Sequence, residues 1–222
     1  MPTPEVQRKA LLAGATGLVG GQMLQMLLAD TTVSQVHALT RRPLGISHPK
    51  LQVHIVDFTH LPELPQVDEV YLALGTTIKV AGSQAAFRAV DLDANLAVAG
   101  AAFAAGARRV GLVSAVGAKA ESSVFYNRVK GELEDALKAM ELKALVIAQP
   151  SLLLDHRDGL QQPPRLGEKL AIPIAKLLAP LMPGVYRPVH ARAVAQSLVR
   201  TLPQAEGVVV LASNVLVRLG ED

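Results

Sequence analysis

The sequence predicts an α/β fold built on a doubly wound parallel sheet. Two observations carry that reading. Short, near-continuous apolar runs alternate with helical patterns, as expected of strands that helices cover on both faces. The first of these runs feeds directly into a glycine-rich turn that opens a helix. A third feature agrees: aromatic residues make up only 3% of the chain, so Ala, Val and Leu must fill the core, which suits helices packed tightly on a sheet.

The elements follow in order. KALLAG (9–14) is a strand and LVGGQMLQMLLAD (18–30) a helix. VHALT (36–40), LQVHIVDF (51–58) and EVYLALG (69–75) are strands. DLDANLAVAGAAFAAGA (91–107) is a helix ending near Gly106, with Asp91 and Asp93 at its start, where the helix dipole favours acids. RVGLVS (109–114) is a strand, SVFYNRVKGELEDALKAM (123–140) a helix and ALVIAQP (144–150) a strand. Beyond Pro150 the alternation loosens. Six of the 14 prolines fall between 155 and 188, around the apolar segment KLAIPIAKLLAPLM. ARAVAQSLVRTL then reads as a helix and GVVVLA as a late strand. Without repeats or low-complexity segments, the 222 residues read as one domain, 1–222, in which residues from about 151 to 205 build a substrate pocket or lid.

Composition excludes several classes of function. Half of the residues are hydrophobic and 18% charged, which gives a sizeable core and argues against disorder. The chain has no Cys, hence no disulfide framework, thiolate metal site or Cys nucleophile. The opening MPTPEVQRKA lacks the apolar run of a signal peptide. No stretch approaches the roughly 20 apolar residues of a membrane span; the Ala-rich run from Ala97 to Ala107 is broken by Gly100 and Gly106. The expectation is a cytoplasmic protein, away from membranes, as a monomer or homodimer. A net charge of +3, with neither a clustered basic face nor aromatic platforms, does not point to nucleic acid. The six His, at 37, 48, 54, 60, 156 and 190, show no metal-ligand spacing, so no metal is expected. His54 lies in a strand pattern and reads as structural, while His190 opens a late helix near the expected pocket.

The glycine loop is GATGLVGG. Gly14, Gly17 and Gly20 let the chain turn sharply between strand and helix, so that backbone can approach a pyrophosphate at the helix N-terminus. Gly14, Thr16, Gly17, Leu18, Val19 and Gly20 are the candidate cofactor contacts here. Dinucleotide folds that select NAD place an acid about 20 residues beyond the loop, on the ribose hydroxyl. This chain has Thr40, Arg41 and Arg42 instead. An acid would repel a 2′-phosphate, whereas arginine clamps one with charge-assisted bonds, so the expected cofactor is NADP(H). Asp57 and Phe58, closing the next strand, stand where an adenine would be held.

The stretch FYNRVKGELE bears the chemistry. Projected at about 100° per residue, Val129, Leu133, Leu137 and Met140 form an apolar arc. Tyr126 falls inside it and Lys130 at its edge. Asn127, Arg128, Glu132, Asp135 and Lys138 face solvent, and the acids between 132 and 141 read as a solvated face. A core tyrosine beside a snorkelling lysine explains an isolated pair of this kind. Here, however, Ser114 closes the preceding strand, and ligands bind at the carboxyl ends of strands in such sheets. Reduction of a carbonyl needs a hydride and a proton. A tyrosine supplies the proton if its pKa, about 10 when unperturbed, is lowered by a nearby ammonium, and a serine can hold the developing oxyanion. Ser114, Tyr126 and Lys130 are therefore the candidate catalytic residues, with Tyr126 and Lys130 also against the cofactor.

At these residues the chain resembles an atypical short-chain dehydrogenase/reductase of the NmrA-like kind. More closely, it resembles the Tat-interacting oxidoreductase-like group and its small bacterial relatives. GATGLVG, LTRRP, LGTTIKVAGSQAAFRAVD, VSAVGA, FYNRVKGELE and AQPSLLLDHR carry the resemblance, over roughly residues 9 to 157. It implies a Rossmann-type fold, NADP(H) binding and a Ser-Tyr-Lys site. It also implies that Gly75 and Thr76 line the cofactor, that Pro150 and Ser151 border the nicotinamide, and that Asn95 falls near a catalytic Asn of many relatives. Gln149 departs from the Arg that the group often has there. Two functions follow. One is an NADPH-dependent oxidoreductase acting on a small carbonyl-like substrate. The other is an NADP(H)-binding redox sensor that engages a protein partner without turnover.

Overall fold

The structure is a computed structural model that describes residues 7–154 and 187–220. Seven strands form one parallel sheet: β1 (Arg8–Ala13), β2 (Val33–Thr40), β3 (Leu51–Ile55), β4 (Glu69–Leu72), β5 (Arg109–Val113), β6 (Ala144–Gln149) and β7 (Gly207–Ala212). Their order is β3-β2-β1-β4-β5-β6-β7. The chain winds outward from β1 to β3, returns to β4 and winds the other way. Ala13 lies opposite both Leu39 of β2 and Leu72 of β4. This reversal between β1 and β4 opens a crevice above their carboxyl ends. The doubly wound, Rossmann-type sheet expected from the sequence is the one observed.

Strand side chains alternate between the faces of the sheet. Ala10, Leu12 and Tyr71 pack with Met23 and Leu27 of α1 (Leu18–Ala29), Val194 and Leu198 of α6 (Ala191–Thr201) and Leu216 of α7 (Ser213–Leu219). On the other face, Leu11, Val70 and Leu112 pack with Val98 and Ala102 of α4 (Asn95–Ala104) and with Leu133 and Leu137 of α5 (Phe125–Lys138). Small and branched residues thus do the packing that the composition assigned to them.

The structure departs from the sequence reading between β4 and α4. Two short helices, α2 (Ile78–Ala81) and α3 (Gln84–Arg88), occupy this stretch. The Thr77 and Ser83 hydroxyls cap them, accepting from the Val80 and Ala86 N–H groups. A π-helical turn, Ala89–Ala94, then runs into α4. The expected helix start at Asp91 therefore lies inside continuous helical structure. β3 also stops at Ile55, short of 58, because the Asp57 carboxylate accepts from the Thr59 N–H and hydroxyl and turns the chain. The expected lid falls largely on residues 155–186, as do His156 and the apolar segment at 169–182, and these lie outside the described residues.

Arg8 ties the amino-terminal end of the sheet together. Its guanidinium donates to both oxygens of Glu69, at 2.7 and 2.9 Å, to Asp30 at 2.7 Å and to the Thr32 hydroxyl at 2.8 Å. Glu69 is fully buried and also accepts from the Tyr71 hydroxyl. Burial pushes the Glu69 carboxyl up, and Arg8 opposes that push. Burial alone would raise Asp30 as well, but hydrogen bonds from Thr32 and the charge of Arg8 carry it below its ordinary value. Removing one member of a buried pair strands the other. Arg8→Met is accordingly expected to cost about 3 kcal/mol or more, read as a lower urea midpoint at unchanged m-value.

Candidate functional site

The glycine turn is built from close approaches. Gly14 has φ +98°, a region that side chains disfavour, and a Cβ there would run into the Ala73 carbonyl at the end of β4. A Cβ on Gly20 would run into the Gly14 carbonyl. That carbonyl accepts from the Gly17 N–H at 2.9 Å, folding the turn back on itself. No side chain caps α1 and no acid sits in its first turn. The positive end of the helix therefore faces the crevice uncompensated, the arrangement that suits a phosphate.

Two cavities meet over this turn. One, of about 270 Å³, is lined by Gly14, Thr16, Gly17, Thr40, Arg41, Asp57 and Phe58. The other, of about 360 Å³, is lined by Leu18, Val19, Thr76, Asp91, Ser114, Tyr126, Lys130, Pro150 and Ser151. They share Gly17, Ala73, Leu74 and Gly75. The continuous trough has the form of a dinucleotide site, with the adenosine half over β2 and β3 and the reactive half over β5 and β6. The residues present fit such a cofactor.

Three candidates line neither cavity. Gly20 serves the packing of α1 on the turn. Arg42 is exposed, and its carbonyl holds the Thr40 hydroxyl at 2.7 Å. Asn95 is fully buried behind the wall, where its amide donates to the carbonyls of Leu74, Val90 and Asp91. It braces the π turn against the end of β4. His190 lines a separate cavity with Gln22 and Arg192. Among the described residues, no group of three His, Cys, Asp or Glu could hold a metal ion.

In the reactive half, Lys130 and Tyr126 exchange the places that the helical projection gave them. Tyr126 is 36% exposed, opens onto the cavity and packs its ring against Phe87 at 5.6 Å between centroids. Lys130 is buried and does not snorkel; its ammonium pairs with Asp91 at 2.7 Å. The other Asp91 oxygen accepts from the Thr76 N–H at 2.8 Å. Asp91 is thus not a helix-start acid but the hub that joins α5, the π turn and the loop after β4. Gly131 follows Lys130 because the chain at Lys119 and Ala120 crosses the helix where a Cβ would stand.

Glu134 also leaves the solvated face to which its charge had assigned it. It is buried and accepts the Ser114 hydroxyl at 2.5 Å. The Gln149 amide donates to its two oxygens at 2.9 and 3.1 Å. Ser151, at the mouth, donates its hydroxyl to the Arg187 carbonyl. At about 100° per residue Glu134 falls beyond Lys130, off the apolar arc of Leu133 and Leu137, so the projection carried no signal for it. Asp91 carried none either, because a π turn shifts the helical register that a projection assumes.

Comparison with known proteins agrees with this geometry. Residues 14–165 match a family described as NAD(P)H-binding. The protein FMP52, mitochondrial, of Eremothecium gossypii is 36% identical over 172 residues, covering 76% of each chain. An oxidoreductase of the short chain dehydrogenase/reductase family from Burkholderia thailandensis superposes with a TM-score of 0.65 at 16% identity, over 95% of this chain and 93% of that one. The Bordetella bronchiseptica enzyme WbmF in complex with NAD+ superposes with a TM-score of 0.67 at 15% identity, over 99% and 79%. The chain shares its fold with these solved structures. The expected cytoplasmic location is overturned, because the curated relatives are named as mitochondrial proteins. Composition carries too little information about compartment to have settled it.

The Asp91–Lys130 pair makes a measurable claim. Asp91→Ala strands a buried ammonium and is expected to cost about 3 kcal/mol. Asp91→Ala combined with Lys130→Met should cost clearly less than the sum of the single changes, a coupling that denaturant melts of the four proteins measure.

Proposed function

The chain belongs to the NAD(P)H-binding family, and we propose that it is an NADP(H)-dependent oxidoreductase of the atypical, NmrA-like short-chain dehydrogenase/reductase type. By motif it resembles the Tat-interacting oxidoreductase-like group and that group's small bacterial relatives. One observation carries the reading: a trough whose adenosine half has Arg41 at its wall and whose other half gathers Ser114, Tyr126 and Lys130. We take the chain as one domain whose substrate is a small carbonyl compound or the corresponding alcohol.

The loop from Gly14 to Val19 would hold the pyrophosphate, Asp57 and Phe58 would border the adenine, and Arg41 would meet the 2′-phosphate. NADPH supplies a hydride when bound. The chain supplies the proton: the Tyr126 phenol opens onto the same cavity and donates to the oxygen of the substrate carbon. Lys130 keeps two N–H donors beyond the one directed at Asp91, enough to hold a ribose hydroxyl. Thr76, fixed through its N–H, and Pro150 shape the opposite walls.

A second reading, a redox sensor that binds NADP(H) and a protein partner without turnover, draws support from the Lys130–Asp91 pair. The aspartate offsets the positive charge that would favour a phenolate.

Two experiments test these readings. Tyr126→Phe is expected to abolish NADPH oxidation by a panel of aldehydes, ketones and quinones while leaving NADPH affinity, read by nicotinamide fluorescence, within about twofold. Turnover equal to wild type would overturn the mechanism, and NADPH binding without turnover by either protein would favour the sensor. Arg41→Ala should weaken NADPH by about tenfold to a hundredfold, the worth of a charge-assisted hydrogen bond, and hardly affect NADH. An unchanged ratio of affinities would remove Arg41 from the phosphate.

A further inference from the structure

We propose that Glu134 is a positioning residue that presents Ser114 to the cavity as a hydrogen-bond acceptor, so that the site is complementary to an alcohol rather than to a bare carbonyl. The inference rests on the oxidoreductase reading for its use of the site, but its geometry stands without it. A serine hydroxyl has one proton and two lone pairs. The Ser114 hydroxyl is 2.5 Å from Oε1 of Glu134, and both residues are buried. What Glu134 carries therefore decides which way the Ser114 proton points.

The neighbours of Glu134 settle that question. The Gln149 amide nitrogen has only hydrogens to offer and faces both carboxylate oxygens,. The Lys138 ammonium, on the next turn of α5, lies 3.6 Å from Oε2. Gln149 and Lys138 thus approach as donors, which leaves the Glu134 oxygen to accept from Ser114. The Ser114 proton is directed at Glu134, and only oxygen lone pairs remain for the cavity. Gln149 stands where the resembling group often has Arg. With a neutral amide in that place, Glu134 keeps its charge unmatched except by Lys138, which makes it the stronger acceptor for Ser114.

This changes the inventory of the reactive half. Lys130 is turned to Asp91, and Ser151 gives its proton to the Arg187 carbonyl. The cavity then offers donors, in the Tyr126 phenol and the N–H groups that Lys130 keeps, and an acceptor, the Ser114 oxygen,. A ligand hydroxyl accepts from the first and donates to the second. A carbonyl oxygen uses only the first. Tyr126 and Ser114 line the same cavity, so a Ser114 proton released from Glu134 is available to the phenol oxygen.

The test reads the phenol directly and needs neither substrate nor turnover. Tyr126 ionisation is followed by ultraviolet difference titration of the cofactor-free protein, with Tyr126→Phe subtracting the other two tyrosines. Glu134→Gln should bring the Tyr126 midpoint down by about one pH unit, because a neutral amide holds the Ser114 proton less strongly than a carboxylate and lets it turn to the phenolate. In a Ser114→Ala background, the same change should move the midpoint by less than about a third of that. Glu134→Asp, which keeps the charge but withdraws the carboxylate by one methylene, should also lower it. An equal fall with and without Ser114 would mean that the charge acts through space, and an unmoved midpoint would mean that Glu134 only holds α5 to β6; either overturns the proposal. Absence of turnover in the wild type would refute the oxidoreductase reading and leave this titration unaffected.

Discussion

The structure depends on a single tight passage, the approach of Gly14 to the end of β4. Its backbone, at φ +98°, leaves no room for a side chain against the Ala73 carbonyl, and its own carbonyl leaves none on Gly20. These contacts seat the start of α1 directly on the reversal point of the sheet. They give the crevice its floor and aim the helix end at it. A bulkier residue at either glycine would lift α1 from β1 and β4 together, and the two cavities that share Gly17 and Gly75 would lose their common wall. The conformational freedom that glycine surrenders on folding is offset by burial of the α1 face, where Met23 and Leu27 are fully covered.

Among the described residues, three carboxylates are buried, each on different terms. Glu69 meets a guanidinium at the amino-terminal end of the sheet, far from the crevice, and serves to join strands. Asp91 meets an ammonium and a backbone N–H at the carboxyl end. Glu134 meets a hydroxyl, an amide and a more distant ammonium. A fully matched pair fixes geometry. A carboxylate held mostly by neutral donors fixes the direction of its partners' protons instead. The second arrangement stands directly behind the reactive half of the trough, which is where proton direction has a chemical consequence.

The sheet and its glycine turn were legible in the sequence because each is written locally. KALLAG followed by GATGLVGG names a strand, a turn and a helix in unbroken order, and the remaining strands are apolar runs of the right length. The convergence of Ser114, Tyr126 and Lys130 followed from placing Ser114 at the carboxyl end of a strand and the other two on the helix that follows it. What was hidden depends on tertiary register. A helical projection takes 100° per residue for granted, so the π turn at Ala89–Ala94 concealed the inward aim of Asp91. The projection also ranked Lys130 and Glu134 by polarity. Both were buried instead because each found a partner on another element, which no single-helix pattern contains. Tyr126, by contrast, lies in the first turn of α5, against Phe87 and open to the cavity.

The same partners bear on how far the Tyr-Lys pair can be taken at face value. An ammonium beside a phenol favours phenolate only to the extent that its charge is unbalanced. Here Asp91 stands 2.7 Å from Lys130 within the protein, and opposed charges so close act at a distance as a dipole. The field reaching Tyr126 then depends on which end of that dipole is nearer, not on the presence of lysine alone. If Lys130 acts mainly as a donor toward a ribose, the phenol must be tuned by other neighbours, and Ser114 is among the polar groups that share its cavity. On the proposed reading, the chemistry of the trough turns on Asp91 and Glu134 as much as on Ser114, Tyr126 and Lys130.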